Sequence, residues 1–374
     1  MRIPWQISAL QAAMLVAGSV SLTGHALAVT FFLQAGGRDS WMSGLISLPI
    51  AAVAIWSMVK LSHLYPGKSL VEYLPSVLGF AGYPLAGLYL LYYLTTVIFT
   101  LRMTTDWLVD SVLMQTPSWV LGLTYMLSIL YCAVQGLDVV ARVNQFTLPL
   151  LSGLGVLVAL GTAKAKDYSL LMPFFEFGLG PVLSATFLGL GYFGEMSILL
   201  MMGGYVNPKE RPRLVRNSLI ALLFVVITLT GPLAGSIATL GYRAAEQMPY
   251  PTFTHWMLVS LARFFERTDL LAVHQWLAGA YVRCALFLLL AVKGGTQLFR
   301  VKKPSNISLL VVGLLAVAGA ELLFPHKPYF DEFIRTVYLP AGAFLGILLP
   351  PVLLMVAVVR GASRPSQGVG GHGA

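Results

Sequence analysis

Two ionisable residues sit where lipid-facing sequence would be expected to have none. Glu195 interrupts "FLGLGYFGEMSILLMM" (187–202), and Arg283 interrupts "AGAYVRCALFLLLA" (278–291). An unpaired charge inside a membrane span is costly, so each is a candidate for function. Arg283, a permanently charged fork, suits a ligand carboxylate or the place of a bound cation. It equally suits a structural pair with Glu195. Glu195 could carry a proton, or serve as a fixed partner at a helix break. Both readings stay open for both residues.

The sequence around them carries its own breakers. Gly189, Gly191 and Gly194 precede Glu195, and near the start of the chain Gly18 and Gly24 bracket "SVSLT", with His25 just beyond. Irregular backbone survives in a membrane only where it is buried in protein or lines a cavity. Matched interruptions in two halves of a chain point to an inverted-repeat transporter with a site at mid-membrane. Half-helix ends there offer N–H groups to an anionic group and C=O groups to a cationic one, which suits an amino acid. The alternative for each glycine is close helix packing. His25 reads as a hydrogen-bonded core histidine before a ligand.

The elements that position these residues are membrane helices. The chain is 57% hydrophobic and 10% charged, against about 25% charged in a soluble domain. Apolar runs of spanning length predict ten helices: 9–33, 41–61, 81–112, 118–135, 144–163, 181–203, 215–240, 268–299, 306–324 and 336–359. These form a single transmembrane domain over 1–362, with halves over 9–163 and 181–359 and a Gly-rich, disordered tail over 363–374. Arg2, the first apolar stretch and Ala26-Leu27-Ala28 also fit a cleaved signal peptide. Losing that helix spoils the alternation of loop charge, so it is read as the first span.

The net charge of +9 resides in short loops, where orientation and anionic lipid explain it and nucleic acid does not. Lys60, Lys68, Arg142, Lys209, Arg211, Arg213 and Arg216 fall on one side. Most loop acids, including Asp39, Asp167, Glu176 and Glu246, fall on the other. The positive-inside rule then puts both termini in the cytoplasm. Cys132 and Cys284 lie inside apolar runs and read as small core residues. Arg102, Asp106 and Asp110 share one face of the third helix as an ion-pair row, and Glu321 and Lys293 read as snorkelling. "PYPTFTHW" (249–256) and "LVSLARFFER" (258–267) read as an outer re-entrant or surface helix. No Ser/His/Asp set, His-Glu-x-x-His or phosphate loop is present, so an enzyme is not expected, and no cofactor or metal site is implied.

"GYVNPKERPRLVRNS" after the sixth span resembles the amino acid–polyamine–organocation transporters, and more closely the B subunit of bacterial spore germinant receptors. "GGRDSWMSG" (36–44), "YPGKSLVEYLPSVLG" (65–79), "GLDVVARVNQF" (136–146), "MPYPTF" (248–253) and "FFERTDLL" (264–271) extend the resemblance over most of the chain. It implies an all-α polytopic protein of the leucine-transporter type: a 5+5 inverted repeat with helices 1 and 6 broken. It further implies a subunit that senses a small germinant, commonly an amino acid, in the spore inner membrane, beside a larger A subunit and a C-subunit lipoprotein. An amino acid permease acting alone, as a proton-coupled symporter or exchanger, is the competing reading. The pocket the resemblance implies comprises Gly18, Ser21, Leu22, Tyr93, Val97, Gly191, Gly194, Glu195, Arg283 and Phe287. Arg283 departs from the family pattern, where a small polar residue or lysine is commoner.

Overall fold

The computed structural model describes residues 6–22, 25, 28–259, 268–301 and 306–361. Its helices are α1 (Ala9–Leu22), α2 (Val29–Gly36), α3 (Met42–Leu64), α4 (Leu70–Leu78), α5 (Gly82–Ser111), α6 (Ser118–Ala133), α7 (Leu137–Gly161), α8 (Leu179–Phe193), α9 (Ile198–Met202), α10 (Leu214–Leu240), α11 (Tyr242–Ala245), α12 (Pro251–Leu258), α13 (Asp269–Leu298), α14 (Asn306–Leu322), α15 (Lys327–Phe333), α16 (Leu339–Gly342) and α17 (Leu349–Val359). Seven helical stretches among the described residues are long and apolar enough to cross a membrane. Ala9–Leu22, Ser118–Ala133 and Asn306–Leu322 are shorter apolar helices. The chain is an integral, multi-pass membrane protein.

Local sequence sets several boundaries. Ser69 and Glu72 close a capping box at the start of α4, with the Ser69 N–H donating to Glu72 Oε2 at 2.7 Å. Gly136, at φ +105°, is a backbone position few other residues adopt; it lets α7 begin at Leu137 instead of the expected 144. The last span likewise begins at Lys327, earlier than 336, and two π-helical turns, Ile334–Tyr338 and Ala343–Leu348, interrupt it.

Of the two expected interruptions, that of the first span falls at residues 23–27, of which the structure describes only His25, a π-helical position. The sixth span narrows into a 3₁₀ turn, Gly194–Ser197, and its backbone stays hydrogen-bonded, the Ile198 N–H meeting the Glu195 carbonyl. α1 is buried almost throughout, so it belongs to the core of the bundle.

Glycine brings the sixth and tenth spans into backbone contact. A Cβ on Gly191 would stand 2.3 Å from the Leu339 carbonyl oxygen, and one on Gly194 only 1.9 Å from that of Gly342. Facing them, a Cβ on Gly346 would lie 2.1 Å from the Gly194 oxygen. Small residues four apart permit such approach in membrane bundles. Both π turns of the last span fall beside this contact.

Candidate functional site

Glu195 and Arg283 meet at the centre of the bundle. Both side chains are 0% exposed. Arg283 Nη1 donates to Glu195 Oε2 at 2.5 Å, and Nη2 donates to Oε1 at 2.8 Å. The remaining guanidinium hydrogens are also used. Nε donates to Thr100 Oγ1 at 2.8 Å, Nη1 to the Ser19 carbonyl at 2.8 Å and Nη2 to the Tyr338 hydroxyl at 3.3 Å. These account for all five donors of an arginine. Tyr338 in turn donates to Glu195 Oε1 at 2.8 Å and lies 3.0 Å from Thr96 Oγ1. The cluster ties together the first, third, sixth, eighth and tenth spans.

Local periodicity explains the convergence. Thr96 and Thr100 lie one turn apart on α5 and therefore share a face. The 3₁₀ turn aims Glu195 at that face, and the first π turn ends at Tyr338. Aromatic rings surround the cation: the guanidinium carbon is 5.2 Å from the Phe287 ring centre and 6.0 Å from that of Phe99. Phe99 also stacks on Tyr338 at 4.8 Å.

The expected pocket residues divide into groups. Glu195, Arg283, Phe287 and Tyr93 come together; Tyr93 meets Phe287 edge-on at 5.7 Å, and its hydroxyl donates to the Ser197 carbonyl at 2.9 Å. Val97 is buried on the same helix. Gly191 and Gly194 face the tenth span. Gly18 packs on the Asn144 side chain, and Leu22 on Gly279. Ser21 is 5% exposed, and its hydroxyl has no hydrogen-bond partner among the described residues. Gly24 lies outside the described residues.

Sequence reasoning missed Tyr338, Thr96, Thr100 and the Ser19 carbonyl. A carbonyl leaves no signature in sequence, but the Gly342/Gly346 spacing is a signal that marks the tenth span as a packing partner.

Contacts join the elements at both ends of the bundle. At the basic-loop end, residues beside the start of α1 form a short parallel bridge with the end of the sixth span. Ile7 N–H meets the Tyr205 carbonyl at 3.1 Å and Asn207 N–H meets the Ile7 carbonyl at 2.9 Å. Glu210 caps this entry, accepting from the Ala9 N–H at 3.1 Å. At the opposite end Trp107 and Trp276 stack at 4.2 Å and 5°. Trp276 precedes Arg283 by two helical turns, about 10 Å along α13. A small, partly open cavity of about 30 Å³ lies at the level of this stack and not at Arg283. His25, Thr252, Phe253, Trp256, Ala272, Gln275 and Trp276 line it.

Other charges form ion pairs away from this cluster. Arg102 pairs with Asp106 at 3.0 Å and lies 3.7 Å from Glu321. Glu321 also accepts from Ser118 at 2.9 Å, so it bonds across helices instead of snorkelling as expected: Arg102 supplies a nearer counter-charge than the interface does. Asp110 reaches Lys327 at 3.3 Å and accepts from Tyr250 at 3.1 Å. His25 Nδ1 is 2.9 Å from the Ser21 carbonyl, and His25 is half-buried beside the small cavity. Both cysteines are free and buried. "PYPTFTHW" becomes α12, whereas residues 260–267 and 362–374, which include the proposed amphipathic stretch and tail, lie outside the described residues.

Comparison with known proteins places this chain in a family. The "Spore germination protein" family model matches residues 6–324. The chain is 30% identical over 354 residues to spore germination protein XB of Bacillus anthracis, covering 93% of this chain and 96% of that protein. It is 23% identical to spore germination protein KB of Bacillus subtilis (strain 168), over 88% of this chain and 89% of the relative. Among solved structures it resembles MhsT in complex with L-phenylalanine, with TM-score 0.65, 14% identity, and 95% and 90% of the two chains covered. A Na⁺-coupled sialic acid symporter matches with TM-score 0.62 and 14% identity, over 93% and 79% of the chains. These likenesses show the leucine-transporter-type fold. The chain belongs to the spore germination protein family.

Proposed function

We propose that this chain is the integral-membrane subunit of a spore germinant receptor and binds a small germinant, an amino acid, at the level of Arg283 and Glu195. The pocket is drawn from Gly18, Ser21, Leu22, Tyr93, Val97, Gly191, Gly194, Glu195, Arg283 and Phe287. A single transmembrane domain with both termini cytoplasmic sits in the spore inner membrane, beside an A subunit and a C-subunit lipoprotein. One observation carries this reading. In a chain of the spore germination family, the one fully buried arginine–glutamate pair among the described residues lies at the 3₁₀ turn of the sixth span and bonds the end of α1. A buried ion pair is a weak source of stability, and well-packed apolar side chains often replace one without loss. Its presence at mid-membrane therefore supports a role in binding.

An amino acid permease acting alone is the second reading, favoured by the similarity to MhsT in complex with L-phenylalanine. Fold does not separate the two. Deleting the gene and scoring germination against amino acids, sugars and nucleosides does. Loss of one germinant response supports the receptor. Unchanged responses, with uptake of labelled amino acid by the chain expressed alone, support the permease.

A further inference from the structure

We propose that the Arg283–Glu195 pair is an internal stand-in for the ligand. The site exchanges this pair for a molecule carrying an ammonium and a carboxylate together, and it rejects molecules carrying one of those charges or neither. This inference rests on reading the pair as the germinant site, and it adds what the ligand must carry and how it is admitted.

All five Arg283 donors are engaged, two on Glu195 and one each on Thr100, Ser19 and Tyr338. Nothing can be added to the guanidinium without displacing a partner. A neutral ligand offers no gain for opening a charged pair. A carboxylic acid that takes the fork leaves Glu195 as a stranded buried anion, and an amine that takes Glu195 strands Arg283. Stranding one member of a buried pair weakens binding by roughly 100-fold or more. A zwitterion strands neither. Its carboxylate occupies the fork that Glu195 vacates, and its ammonium meets Glu195, so the charge at mid-membrane is unchanged.

The surroundings suit such an exchange, because each half keeps an anchor when the pair opens. Arg283 retains Thr100 through Nε and the Ser19 carbonyl through Nη1. Glu195 retains the Tyr338 hydroxyl. Backbone contact of Gly194 with Gly342 and Gly346 bars entry from the tenth span. On α1, the helix whose Ser19 carbonyl holds Arg283, Ser21 has a buried hydroxyl with no partner among the described residues.

The test uses the full chain in lipid nanodiscs and measures thermal stabilisation by matched sets. These are L-alanine, propionate and ethylamine; L-valine, isovalerate and isobutylamine; and L-phenylalanine, 3-phenylpropionate and phenethylamine, with D-glucose and inosine as uncharged probes. The expected result is binding by at least one amino acid, with its acid and its amine each weaker by roughly 100-fold or more. In Glu195→Gln, which keeps an acceptor oxygen for Tyr338, the ratio shifts toward the acid by on the order of tenfold or more, because Arg283 no longer needs its partner returned. An acid, amine, glucose or inosine that binds within tenfold of the best amino acid, and loses binding in the Glu195→Gln/Arg283→Gln double variant, preserves the site and overturns the exchange. Amino acid binding unchanged in that double variant overturns the siting itself, as does the absence of any binding.

Discussion

Replacing Glu195 by leucine removes two of the five acceptors around the Arg283 guanidinium and takes the acceptor of the Tyr338 hydroxyl with them. The guanidinium is left with Thr100, the Ser19 carbonyl and Tyr338, at 0% exposure. An uncompensated buried charge of this kind costs about 3–5 kcal/mol. Arg283→Met strands Glu195 instead, with Tyr338 as a donor, and carries a similar penalty. The double variant Glu195→Leu/Arg283→Met removes both charges, so its loss is smaller than that of either single change. Melting in nanodiscs reads the order. About 2 °C per kcal/mol, the lower end of the range for large domains, puts each single variant about 6–10 °C below the parent. The double variant sits between the singles and the parent. Both singles melting within 2 °C of the parent, or a double variant less stable than the worse single, refutes the reasoning that the two charges compensate each other.

Other outcomes follow from the same geometry. Gly194→Ala and Gly346→Ala place a Cβ against backbone that has nowhere to move, so folded yield collapses; Gly153→Ala, with nothing within 4 Å, leaves yield unchanged. Trp276→Ala removes a buried, stacked ring and lowers stability by about 3–5 kcal/mol, read as a melting shift that Trp276→Phe partly restores. His255 on α12 is 5% exposed, and burial first, then the nearby positive Lys166, lowers its pKa from 6.5 to about 4. The fold therefore holds a neutral imidazole. The stabilisation is complete above about pH 6.5, declines as pH falls toward 4 and is gone below it, a total of about 3 kcal/mol; a pH series of melts shows the decline, and His255→Gln flattens it. Lys327→Ala breaks a half-exposed pair with Asp110 and shifts melting by no more than about 1 kcal/mol equivalent.

What could be read from sequence was whatever violates the rules of lipid. Arg283 and Glu195 stood out because charge is rare at mid-membrane, and Gly194 because irregular backbone is rare there, whereas Gly18, expected as a breaker, lies within the unbroken helix α1 and packs on Asn144. Their pairing was one of two readings, since residues on different helices leave no mark of their distance. Tyr338 was illegible for a different reason. A tyrosine in an apolar span is ordinarily packing, and a π turn such as the one that ends at Tyr338 has no hydrophobic periodicity to announce it. Gly191 and Gly194 were legible as special but ambiguous in role, for a glycine that opens a cavity and one that admits a neighbouring backbone look alike. The stack of Trp107 on Trp276 and the bridge of Ile7 to Val206 are long-range events that no local pattern announces.

The central claim is that germinant recognition runs through Arg283 and Glu195. Its most direct measurement is the germination dose–response of spores carrying the Glu195→Gln/Arg283→Gln double variant, at a protein level matched to the parent. The account predicts that the response to the germinant lost on gene deletion disappears, while responses through other receptors persist. A dose–response curve superimposable on the parent's contradicts it.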